Sequence, residues 1–185
     1  MSARLNFLFV TTDSQRRTGD FAPASQVADF RLEVGEWPLY KNTRNQKSIK
    51  AGHRVLIYLG GRSPAAGVVV ASCRVKEVRP IRSPREARES TEFFTDFPSS
   101  LMKLEDVERL PARVELRKVV PRLDCCPKNM QKWGIILHGG VRQLTDHDFA
   151  LIVGEAKKIA SRAKRQESDK PTPAVAATKA ATSLE

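Results

Sequence analysis

Between positions 37 and 44, Trp37, Tyr40, Lys41, Asn42 and Arg44 bring together an aromatic plane, an amide and several cations. Such a set suits an extruded nucleobase: a flat ring to stack on, an amide to read an edge, and cations for the flanking phosphates. Stacking a base on an aromatic side chain is worth about 1–3 kcal/mol. The bland alternative for Trp37 is a core plug, since large indoles are highly buried on average. Arg142 follows two glycines and is placed either to meet a phosphate or to cap the next turn. Trp133 precedes Gly134 and a short apolar run, which makes packing at least as good a reading as ligand contact.

Catalytic constellations do not stand out. The chain has no G-x-S-x-G, H-E-x-x-H, P-loop or dinucleotide fingerprint. Asp146 and Asp148 flank His147, but acids in a first helical turn are favoured by the helix dipole alone. Cys73 is isolated in an apolar run, and Cys125 and Cys126 are vicinal, so there is neither a disulfide framework nor a CxxC pair. Only His138 lies near them, which leaves a metal site short of ligands. The expectation is a binding protein without enzymatic activity, metal or cofactor.

Charge points to the partner class. Lys and Arg number 32 against 21 acids, a net charge of +11 and a pI near 10.0. That excess favours a polyanion, DNA or RNA, because each cation that neutralises a phosphate releases counterions. A membrane partner is not expected: no stretch approaches the roughly 18 apolar residues of a span. The short run Phe7-Leu8-Phe9-Val10 lacks the features of a signal peptide, so a cytoplasmic location is expected.

Several elements must position these residues. Leu5 to Val10 reads as a central strand, and Asp13 to Asp20 as a loop. Pro23 opens a short helix with Val27, Phe30 and Val34 at helical spacing, closed by Gly35. Residues 37–50 read as a polar, basic stretch. Arg54 to Leu59 and Ala66 to Val75 are strands joined by a Gly/Pro loop. Residues 79–100, with Arg79, Arg82, Arg85 and Arg88, read as a solvated excursion, followed by a short helix over Leu101 to Leu110. Ala112 to Val120 alternates as a half-exposed strand, and Ile135 to Leu137 reads as another strand. Thr145 and Asp148 approximate a capping box before a helix with Phe149, Ile152, Val153, Ala156, Ile159, Ala160 and Ala163 on one stripe. The expected organisation is one domain over 1–165 and a disordered basic, Ala-rich tail over 166–185.

Trp37-Pro38-Leu39-Tyr40-Lys41-Asn42, followed by Ile49-Lys50-Ala51-Gly52-His53-Arg54-Val55-Leu56-Ile57-Tyr58, resembles the central signature of EVE domains. These are PUA-like and related to YTH domains. His53 stands where that pattern has Asp. Ala66-Gly67-Val68, Lys128 to Trp133, and Gly139 through Arg142 and Leu144 into the last helix are similar to further family segments, in the same order. The resemblance implies an α+β fold: a PUA-like curved mixed sheet, or open barrel, with helices on its rim. It also implies a pocket for a modified or flipped base, built from Trp37, Asn42, Tyr40, Trp133 and the strand-end residues Thr11, Thr12 and Tyr58. Lys41, Arg44 and Arg142 are the expected phosphate contacts. The alternative is a PUA-like RNA-binding accessory of translation or RNA modification that has no base pocket.

Overall fold

The computed structural model describes residues 4–16, 18–89, 93, 97–126 and 130–168. The chain opens with β1 (Asn6–Thr11), a small hairpin of β2 (Ser14–Gln15) and β3 (Phe21–Ala22), and helix α1 (Ala24–Val34). The Asp13–Asp20 loop therefore carries a strand of its own. Next come β4 (Glu36–Leu39), β5 (Arg54–Leu59), β6 (Val68–Pro80), α2 (Pro84–Glu89) and β7 (Ser100–Glu115). The one-turn α3 (Leu116–Val119), a 3-10 segment (Met130–Leu137), β8 (Val141–Leu144) and α4 (Asp146–Ser168) complete the described chain.

Six strands form one mixed sheet in the order β4-β7-β6-β5-β1-β8, curled into a half-barrel with helices against it. β1 lies parallel to β5, with Asn6 opposite Arg54 and Thr11 opposite Leu59. A parallel pair needs a long crossover, and the segment carrying α1 and β4 supplies it. Both faces of β1 are covered, which explains its unbroken apolar run. Phe7 and Phe9 point to a core shared with Ala24, Ala28 and Leu32 of α1. Leu8 packs oppositely, with Phe149, Ile152 and Ala156 of α4. Each such large side chain contributes roughly 1.5–3 kcal/mol when fully buried.

Four sequence expectations are corrected. The strand expected over Ala112 to Val120 ends at Glu115, and Leu116–Val119 form α3. Leu101 to Leu110 is not a helix but the first part of β7, which pairs with β6 over its whole length. Leu101 and Leu104 sit three apart and mimic helical spacing, but Met102 and Leu104 share the inner core at the period of two of a strand, and Leu101 is buried outside that cluster. Ile135 to Leu137 belongs to the 3-10 segment, and the strand follows it at Val141. Residues 37–39 are a strand, paired only with β7 at the sheet edge. Pro38 is tolerated there because an edge strand need not donate on both sides.

Other elements follow the expected chemistry. Gly35 ends α1 in the left-handed region at φ 71°, its N–H donating to the Arg31 carbonyl. Thr145 and Asp148 form the capping box: the Asp148 N–H donates to Thr145 Oγ1 at 3.0 Å and the Thr145 N–H to Asp148 Oδ2 at 3.2 Å. The last helix continues to Ser168, and the rest of the expected tail lies outside the described residues. Among the described residues, no helix is long and apolar enough to cross a membrane.

Candidate nucleic-acid interface

Trp37 is buried in the core, 3% exposed. The Phe9 and Trp37 rings meet in a T-shaped pair with centroids 5.9 Å apart, and the Arg31 guanidinium lies 4.9 Å from the Trp37 ring centre. The open stacking face expected at this position is therefore filled. The physical reason is the period of β4: Trp37 and Leu39 turn toward the inner core that Phe9 also faces.

The other expected pocket residues do not converge on Trp37. Thr11 shares its side of β1 with Phe9 and is buried with its Oγ1 unpartnered. Tyr58 and Trp133 pack in the opposite core, under α4, and burial raises the Tyr58 phenol pKa. Thr12 and Asn42 are exposed, and Tyr40 is half-buried at the turn that its N–H makes with Thr43 Oγ1 at 2.9 Å. Lys41 is exposed on that turn.

Two of the three expected phosphate contacts come together, and Lys41 does not join them. Arg44 and Arg142 line one cleft of about 620 Å³, joined there by Arg4. Two features bring them together. The Arg44 N–H donates to the Gly139 carbonyl at 3.0 Å, and Gly139, at φ 84°, leaves room for the Arg44 Cβ, which a side chain at 139 would approach to 3.1 Å. Arg142 lies on β8 opposite Leu8, and its Nη2 donates to the Cys125 carbonyl at 2.8 Å. Its Nε is buried without a partner. None of the three arginines is paired with a carboxylate among the described residues.

The one acid in the cleft wall is already balanced. Asp146 Oδ1 accepts from Asn6 Nδ2 at 2.9 Å and from Arg54 Nη2 at 2.6 Å, while Arg54 lies over the Phe149 ring at 4.3 Å. The cleft is thus a recess lined by three arginines, a composition that suits phosphate or another oxyanion. Sequence reasoning missed Arg4 and Arg54, whose only signal was a cation at the start of an apolar strand, β1 and β5 respectively.

Asp124, His147 and Asp148 place three possible ligand atoms within 4.8 Å of one another. Asp148 is fully buried, and its carboxylate already accepts the N–H groups of Asp124, Cys125 and Thr145. Asp124 Oδ2 is shared by His147 Nδ1 and the Thr145 hydroxyl, both at 3.1 Å. These groups form a helix-start network that ties the 124–125 loop to α4.

No protein-family model matches the sequence, and no curated protein matches it. Solved structures do match the fold. The chain is similar to the human THYN1 protein, solved in complex with DNA containing 5-methylcytosine, with a TM-score of 0.57 at 15% identity over 83% of this chain and 98% of that one. A protein from Leishmania major matches with a TM-score of 0.56 at 14% identity, over 85% of this chain and 97% of that one. The YTH domain of the MRB1 protein of Zygosaccharomyces rouxii, solved with RNA containing N6-methyladenosine, matches with a TM-score of 0.50 at 13% identity, over 85% and 92%. The PUA-like fold expected from the EVE resemblance is the fold of this chain.

Proposed function

We propose that this protein binds nucleic acid, with the Arg4–Arg44–Arg142 cleft as its phosphate-contacting surface, and that it reads a modified or flipped base beside that contact. The carrying observation is the convergence of three arginines, without carboxylate partners among the described residues, on one recess of a chain whose net charge is +11. The similarity in fold to proteins solved with methylated DNA and methylated RNA supports the base-reading half. The role is recognition without chemistry, and we place it in the cytoplasm, where the thiols of Cys73, Cys125 and Cys126 stay reduced.

A second reading, nucleic-acid binding without a base pocket, is favoured by the burial of Trp37 under Arg31. For the base to sit on Trp37, Arg31 has to leave the ring.

The deciding experiment measures binding of matched oligonucleotides, plain and carrying 5-methylcytosine or N6-methyladenosine, to the wild type and to Arg44→Glu/Arg142→Gln. The double variant is expected to lose at least about tenfold in affinity for every oligonucleotide, since contacts to phosphate carry no sequence information. A preference of the wild type for one modified strand supports base reading. Equal affinity for all strands supports the second reading, and an unaffected double variant rejects the cleft.

A further inference from the structure

Helix α4 outruns the core it packs on. Ile152 and Ala156 are fully buried, whereas every residue from Ser161 to Ser168 is exposed. From Lys157 onward the helix carries the exposed Lys157, Lys158, Arg162, Lys164 and Arg165, and none of them is in an ion pair among the described residues. At about 100° per residue, these five cations fall within an arc of roughly 160°. Ala156, Ile159, Ala160 and Ala163 take the other side. Mutual repulsion along one face is a cost that a polyanion removes.

The placement of this face relative to the arginine cleft is informative. Asp146, in the cleft wall, precedes Lys157 by three full turns, so the two lie within about 20° of each other around the axis. Ala150 and the half-buried Val153 lie closest to the line between them, with Gly154 to one side, where an added Cβ would meet nothing within 4 Å. A strand leaving the cleft thus meets one half-buried valine on its way along the helix and no acid, since Asp148 and Glu155 lie on other sides of the axis.

We infer that the basic face of α4 is a second phosphate-contacting surface for the backbone of the same nucleic acid, resting on the reading of the cleft above. From Asp146 to Arg162 the helix rises roughly 24 Å, at about 1.5 Å per residue. That spans about 7 base pairs at roughly 3.4 Å each. The footprint is bipartite, with the cleft fixing one end and α4 gripping the backbone further along. The apolar side of the helix has no aromatic or large apolar residue beyond Ile159 to enter a bilayer, which favours nucleic acid over a lipid surface.

The test uses the full chain and two DNA hairpins with stems of about 4 and about 12 base pairs, chosen to fall below and above the predicted span. In Lys157→Gln/Arg162→Gln/Arg165→Gln, affinity for the long hairpin is expected to drop about tenfold or more, and the slope of log K against log salt to flatten by about 2–3. Binding to the short hairpin is expected to stay unchanged. These exposed sites take Gln without loss of helix propensity, and an unchanged urea midpoint checks that the fold is intact. Ala163→Lys, which adds a cation on the opposite side, is expected to leave the slope as it is.

An unchanged slope in the triple variant overturns the inference, as does an equal loss on both hairpins. A steeper slope in Ala163→Lys overturns it in favour of diffuse net charge. Binding to phosphatidylserine–phosphatidylcholine vesicles that is lost in the triple variant, with DNA binding intact, overturns it in favour of a membrane. If the wild type binds neither hairpin, the cleft reading fails and this inference falls with it. If binding survives and only the α4 dependence is missing, the cleft reading stands alone.

Discussion

The Arg31 guanidinium lies 4.9 Å from the centre of the Trp37 ring, 8% of the residue is exposed, and no carboxylate among the described residues balances it. Burial lowers the guanidinium pKa, opposed by the nearby Tyr40 phenol. A cation–π contact contributes about 0.5–2 kcal/mol. Removing a cation from water costs several kcal/mol after relaxation, by order of magnitude, and the cost is recovered only with good partners. The desolvation cost therefore exceeds the ring contact. Arg31→Met, similar in reach and apolar, is expected to hold or raise the urea midpoint. A fall of more than about 1 kcal/mol would show that the ring contact dominates.

The same pair changes how Trp37 is to be tested. Trp37→Ala removes a buried indole at an expected cost of about 3–5 kcal/mol, so lost binding in that variant reports folding as much as recognition. Arg31→Ala uncovers the ring and keeps it. In a Trp133→Phe background, Trp37 emission isolates the buried indole. If the ring is a base seat, quenching by a modified oligonucleotide grows in Arg31→Ala over the parent, whereas equal quenching in both assigns Trp37 to the core alone.

Asp148 gives a prediction about stability. Its fully buried carboxylate accepts the N–H groups of Asp124, Cys125 and Thr145 at 2.6, 3.2 and 3.2 Å. Truncation leaves those donors without their acceptor, at roughly 1–3 kcal/mol for each buried group that finds no other partner. Asp148→Ala is expected to lose about 2–4 kcal/mol in urea unfolding. Asp148→Asn keeps one acceptor oxygen and should recover part of that. Equal losses in the two variants would mean that charge at the helix start matters more than the hydrogen bonds.

The capping box was legible in the sequence because it depends on residues three apart, as does the helix α1 between Pro23 and Gly35. Strand β7 was not, because its identity depends on pairing with β6 and on a bulge where Asp106 adopts a positive φ of 50°. Nothing local marks such a bulge. For the site, Arg44 and Arg142 stood out in the sequence as cations, but their meeting across the Gly139 turn is a tertiary fact. The burial of Trp37 was not legible for a related reason: polar neighbours at 40–44 follow the end of an edge strand and say nothing about the side of the sheet that the ring takes.

His53, in the position where EVE domains have Asp, makes stability depend on pH. It is 4% exposed, its Nδ1 accepts the Lys50 N–H at 3.2 Å, and its ring packs 5.6 Å from Phe7. Burial first, and then Lys50, hold its pKa below the usual 6.5. The unfolded chain therefore takes up a proton at a higher pH than the folded one, so stability is complete above about 6.5 and declines as pH falls toward the folded pKa. Urea midpoints are expected to fall through that window in the wild type and to lose this component in His53→Gln. A wild-type profile that is flat between pH 7 and the onset of carboxylate titration, near ~4.3, contradicts this.

The thiols give the final prediction, because three cysteines sit in three environments. Cys73 lies in the inner core, and burial pushes its pKa up to about 12. Cys125 and Cys126 are half-buried with their sulfurs 4.0 Å apart. The hydrogen bond between them raises the Cys125 pKa and lowers that of Cys126, and Arg142 pulls Cys126 down further. Since the thiolate is the nucleophile, iodoacetamide followed by peptide mapping should label Cys126 first, Cys125 more slowly, and Cys73 only in urea. Cys125 also lines the arginine cleft. A bound oligonucleotide should therefore slow labelling at 125 and 126 while leaving Cys73 unchanged. Labelling of Cys73 at the rate of Cys126 in the folded protein would contradict the inner core, and unslowed labelling under saturating oligonucleotide would place the nucleic acid away from Arg142.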